Sequence, residues 1–108
     1  MPEKATLYAV VTSAWGSDVA GTLCDHEGEP IHSHVSSSEH WLWRDLTTGF
    51  PDRARALDER YPGGYEVVRL GRSASEAEFA PLHALWDARS PGWREGEVRS
   101  TDTTEGET

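Results

Sequence analysis

The segment Val19–Val35 constrains the fold more than any other stretch, because it writes a β-hairpin into the sequence. Asp25-His26-Glu27-Gly28 suits a type I turn: Asp opens it, and Gly28 sits where the backbone needs a positive φ. A three-residue loop of this kind sets Asp25 opposite Glu29 and pairs Leu23 with Ile31, Thr22 with His32 and Ala20 with His34. Val19, Leu23, Ile31 and Val35 then form a core face, while Thr22, Cys24, His32 and His34 look outward. The assignment depends on register, since a slip of one residue exchanges the faces.

Other elements arrange themselves around this hairpin. Leu7–Thr12 is a β run, apolar on both faces, which suits a central strand. Ser36 and Glu39 have capping-box spacing and predict a helix through Trp41, Leu42, Trp43 and Leu46 that stops before Gly49. Pro51 restarts a helix carrying Ala54, Leu57 and Tyr61, and Pro62-Gly63-Gly64 ends it. Tyr65–Leu70 is a further strand. Ser73/Glu76 and Ser75/Glu78 repeat the capping spacing, but Pro81 predicts a break, so the last helix is placed at about 81–89 with Leu82, Leu85 and Trp86 inward. The order is β, β-hairpin, α, α, β, α. It predicts an α+β fold: a four-stranded, mainly antiparallel sheet with helices on one face.

A chain of 108 residues fits one domain, placed at 1–93, with 94–108 read as an acidic disordered tail. The net charge is −9, of which residues 95–108 supply five acids against one base, leaving −5 over residues 1–94. Such a balance disfavours nonspecific binding to nucleic-acid backbone, which requires a field of Lys and Arg. No apolar run approaches the length needed to cross a bilayer, and no signal-peptide core follows Met1. The single cysteine, Cys24, has no internal disulfide partner, which fits a reducing compartment. A cytoplasmic protein is the expectation.

The residues that bear chemistry support several readings. His32-Ser33-His34 on a strand puts two imidazoles on one side, and Cys24 near them would complete a set suited to zinc or copper. A polar strand surface explains the pair equally well. Serines 33, 36, 37 and 38 lie near His34 and His40, but no Gly-x-Ser-x-Gly elbow accompanies them, and the serines already serve as helix caps. Gly63-Gly64 and Gly71 form neither a phosphate loop nor a dinucleotide fingerprint, so no cofactor is predicted. Trp41 and Trp43 lie roughly 200° apart around a helix. Either that helix is sandwiched, or one indole is exposed. An exposed indole beside Arg44 could hold a partner or a nucleotide. The alternative is that both rings cover a thin core.

Leu7–Ser13, Ala20–Asp25, His34–Ser38 and Gly64–Val68 together resemble small uncharacterised proteins encoded by bacteriophages and prophages of GC-rich bacteria. The resemblance implies an accessory phage protein acting by binding, including interference with host defence. The expectation is therefore a non-catalytic binding protein using a surface around His32, His34, Trp41, Trp43 and Arg44. Its ligand would be a host protein or a small nucleotide signal. The alternatives are a small metal-binding domain or metal-dependent enzyme using Cys24, His32 and His34, and a structural protein that self-assembles through a sheet face or edge.

Overall fold

The computed structural model describes residues 4–92; the tail placed at 94–108 lies outside the described residues. Seven elements follow one another: β1 (Ala5–Trp15), β2 (Asp18–Cys24), β3 (Pro30–Ser36), α1 (Glu39–Leu46), α2 (Pro51–Arg60), β4 (Tyr65–Leu70) and α3 (Glu76–Arg89). The four strands form one sheet in the order β3-β2-β1-β4, so the fold is α+β. β1 and β2 occupy the centre, as the doubly apolar β1 requires. Leu7, Tyr8, Ala9 and Val10 are buried in succession, on alternate faces.

The sheet is mixed rather than mainly antiparallel. β1–β2 and β2–β3 pair antiparallel, but β4 lies beside β1 and runs parallel to it. Parallel neighbours need a long crossover, and α1 with α2 supplies it. The helices also divide between the faces. Leu42, Leu46, Leu57 and Tyr61 of the α1–α2 segment pack with Leu7, Ala9, Val19 and Leu23. On the reverse face Leu82 of α3 packs with Tyr8, Val10, Cys24 and Leu70, joined by Leu85 and Trp86. The expectation of helices on one face thus fails at α3, because β1 and β4 present apolar side chains on both sides. No helix among the described residues is long and apolar enough to cross a membrane.

Register is where the sequence reading and the structure part. The turn forms as expected: Asp25 N–H donates to Glu29 O at 2.8 Å, Gly28 N–H donates to Asp25 O at 2.9 Å, and Gly28 has φ +81°. Beyond it, Cys24 pairs with Pro30 but Leu23 pairs with His32, so a bulge falls at Ile31. Pro30 has no N–H to donate into the ladder, and the strand reorganises around that gap. Thereafter Thr22 faces Ser33, Gly21 faces His34 and Ala20 faces Val35. Val19, Leu23 and Ile31 keep the expected core face, but beyond the bulge the assignment of β3 inverts: Val35, expected in the core, is 54% exposed, while His32 and His34 turn toward α1.

α1 lies close against the sheet at one glycine. A Cβ on Gly21 would sit 2.6 Å from Leu42 Cδ2 and 2.7 Å from Val10 O. The N-cap of α1 is Ser38, whose hydroxyl accepts from Trp41 N–H at 3.3 Å; the expected Ser36/Glu39 box does not form. Ser36 belongs to β3, and the Glu39 carboxylate instead accepts from Arg72 Nε at 2.8 Å. That hydrogen bond holds Glu39 below the usual glutamate range. Ser75/Glu78 does close a capping box, and α3 runs unbroken through Pro81. The carbonyl deprived of its partner there belongs to exposed Ala77, where water can satisfy it.

Candidate functional site

The surface where β3 meets α1 and the start of α2 gathers most of the side chains singled out from sequence. His32 Nε2 donates to Leu46 O at 2.6 Å, which fixes the ring against the end of α1. Burial pulls the His32 pKa below its ordinary value of 6.5, although the carbonyl contact acts in the opposite direction. His34 Nε2 stands 3.5 Å from Asp45 Oδ2, and the buried Ser36 hydroxyl donates to the same oxygen at 2.5 Å. Asp45 is thus a hub between a histidine and a serine.

The order of this trio matters chemically. In a nucleophilic triad the base stands between hydroxyl and acid, so that it can take the hydroxyl proton. Here the acid stands between, and Ser36 donates its proton to a carboxylate. The arrangement locks β3 to α1 and does not activate Ser36.

Two exposed aromatic rings accompany the hub, Trp41 at 47% exposure one turn before Asp45 on α1, and Phe50 at 40% exposure after the end of α1. Each carries an arginine over its face: Arg44 is 4.9 Å from the centre of Trp41, and Arg53 is 4.8 Å from that of Phe50. Phe50 meets the His34 ring edge-on at 5.3 Å, and His40 meets Trp41 at 5.4 Å. Arg53 also donates to Asp45 O at 3.0 Å, tying the second pair to the hub. Trp43 points elsewhere and packs, partly buried, against the core. Of the two arrangements their angular separation allows, the structure has one indole outside and one in.

Ser36, Asp45, Phe50 and Arg53 belong to this surface and were missed in the sequence. The link between helices, Phe50-Pro51, was the available signal, since an aromatic residue before a helix start has no core position assigned to it.

The proposed metal set does not converge. Cys24 faces α3 with Tyr8, Val10 and Leu82, on the opposite side of the sheet from the two histidines. Burial, with the neighbouring Asp25 adding to it, pushes the Cys24 thiol up to about 11, so at neutral pH it is a protonated core side chain. Asp25, His26 and Glu27 do offer ligand atoms within 4.8 Å of one another. Asp25 is already engaged, however: Oδ1 accepts from Glu27 and Glu29 N–H at 2.8 Å, and Oδ2 accepts from Arg60 at 2.8 Å.

Compared with known protein families, with curated proteins and with solved structures, the chain matches none, so its own side chains carry the functional argument.

Proposed function

We propose that this is a non-catalytic binding protein that docks a partner protein on the surface formed by Trp41, Arg44, His34, Phe50 and Arg53. The observation that carries this reading is the pair of exposed aromatic rings, each roofed by an arginine, Phe50 and Arg53 touching the hydrogen-bonded hub and Trp41 one helical turn from Asp45 on α1. Trp and Arg dominate the energetic centres of protein interfaces, because they bury much area while offering directed donors. Holding the rings and guanidinium groups in place beforehand lowers the ordering cost of association. The hub binds its serine proton to a carboxylate, which favours binding over chemistry at this surface. In the setting the phage resemblance implies, the partner is a host protein whose defence function is blocked.

The test is partner capture by the full chain, followed by measured affinity for variants whose melting temperature is unchanged. Trp41→Ala and Arg44→Ala are each expected to weaken the partner by about 2 kcal/mol, or roughly thirtyfold. Full retention of the partner by both variants removes this surface as the interface.

A small nucleotide at the same surface is the second ligand class, and native mass spectrometry of gently purified protein separates it by a retained adduct. Self-association is a further reading, favoured by one observation: β3 is an edge strand whose Val35 is 54% exposed. A purely monomeric mass at high concentration counts against it.

A further inference from the structure

A concave feature lies away from the aromatic surface and shares no residue with it. It is a groove of about 450 Å³ lined by Lys4, Ala5, Thr6, His26, Arg60 and Tyr61. Three parts of the chain build it: the start of β1, the β2–β3 turn and the end of α2. In a chain with 19 acidic residues and 10 basic ones, its wall carries the only lysine, together with an arginine and a histidine. Lys4, Arg60 and His26 thus bring cationic and hydrogen-bond-donating groups to one concave wall that no acidic residue lines.

Local geometry favours an anion there. Arg60 is held by Asp25 Oδ2 at 2.8 Å and lies 5.3 Å from the centre of the Tyr61 ring, so its guanidinium is already positioned. The Tyr61 hydroxyl and His26 Nδ1 share a hydrogen bond of 3.1 Å, which orients a second polar edge. Among the described residues, three carboxylates pair with side chains of the groove without lining it: Asp25 pairs with Arg60, Glu27 is 3.8 Å from His26 Nε2, and Glu66 accepts from the Thr6 hydroxyl at 3.2 Å.

The C-terminal end of a helix repels anions through its free carbonyls. Here backbone donors occupy one carbonyl of the last turn of α2 and two of the segment that follows it. Leu57 O accepts from Tyr61 N–H at 2.9 Å, Tyr61 O from Gly64 N–H at 2.8 Å, and Gly64 O from Ala5 N–H at 3.0 Å. The remaining long-range repulsion from the acidic chain is screened beyond about 8 Å at physiological salt.

We infer that this groove is a binding site for a small phosphate-bearing ligand, held by the Lys4 ammonium, the Arg60 guanidinium and the His26–Tyr61 edge. A phosphate monoester suits these donors because it brings close to two negative charges and several acceptor oxygens. The groove volume falls in the range of small-molecule sites, which leaves room for an organic group beyond the phosphate. The site is separate from the partner surface and does not depend on it.

The test is an NMR titration of the full chain with inorganic phosphate, pyrophosphate and adenosine monophosphate, with adenosine as the control lacking phosphate. Saturable shifts are expected at Lys4, Thr6, His26, Arg60 and Tyr61 with at least one phosphate compound, and none with adenosine. Lys4→Gln, at an exposed position, is expected to weaken binding about tenfold, as loss of one charge-assisted contact does. Arg60→Gln should weaken it further, but it also strips Asp25 of its partner, so Lys4→Gln decides. Trp41→Ala should bind the same compounds normally, which separates this site from the partner surface. No saturable shift in the millimolar range with all three compounds, or unchanged affinity in Lys4→Gln, overturns the assignment.

Discussion

At the scale of single residues, one half-buried and one buried polar group give the protein a predictable response to acid. The neutral His32 ring is favoured in the folded chain, because burial lowers its pKa below 6.5. The unfolded chain therefore binds the extra proton more readily, and stability declines as pH falls below about 6.5 toward the folded-state value. Asp25 adds a second decline at lower pH. Burial alone would raise its pKa, but the N–H groups of Glu29 and Glu27 and the Arg60 guanidinium outweigh that and hold it below 3.8. Its contribution is present above the unfolded value and is lost as pH drops through the folded one. Thermal melts across pH should show both declines. His32→Gln, which keeps a donor for Leu46 O, is expected to flatten the upper one, and Asp25→Asn to flatten the lower one. An unaltered slope in either variant would show that the named group is not responsible. Cys24 contributes no comparable step near neutrality, because its thiol is pushed up to about 11.

At the scale of elements, α3 carries a built-in weakness. Pro81 removes one main-chain hydrogen bond from the second turn, and the Ser75/Glu78 box compensates at the first. Pro81→Ala restores that bond and is expected to stabilise the protein by about 1–2 kcal/mol, less than the full helix-interior penalty because proline also restricts the unfolded chain. A lower melting temperature in Pro81→Ala would show that the ring, not the lost bond, matters. The element scale also separates what the sequence disclosed from what it hid. Pro51, Pro62-Gly63-Gly64 and the Asp25–Gly28 turn were legible because each acts on its own few residues. The fate of Ser36 was not, since its hydroxyl is claimed by Asp45, nine positions away, rather than by the adjacent helix end. The histidine face was hidden for a similar reason. One bulge at Ile31 exchanges the sides of β3 from His32 onward, and ideal hairpin pairing contains no sign of it.

At the scale of the whole molecule, composition and element order were enough to give an α+β fold, but not the distribution of helices over the sheet. That distribution depends on which strand takes the edge, and β4 beside β1 brings an apolar strand with it. The aromatic surface was legible in part: the angular spacing of Trp41 and Trp43 left either a sandwiched helix or one exposed indole, and the structure has the second, while Phe50 and Arg53 come from the cap and first turn of a different helix. The β2–β3 turn ties the layers together. From one face Arg60 of α2 grips Asp25. From the other, Trp86 Nε1 donates to Gly28 O at 2.9 Å, and Arg89 Nε stands 3.4 Å from Glu29 Oε2. The opposite hairpin tip, Gly16-Ser17 between Trp15 and Asp18, is exposed, and a Cβ on Gly16 would meet nothing within 4 Å. The two tips should therefore differ as places to open or lengthen the chain. New termini or a short epitope tag placed between Gly16 and Ser17 should leave the melting temperature nearly unchanged. The same tag between His26 and Glu27 should unfold the protein, because it would prise apart a loop that both helical layers hold.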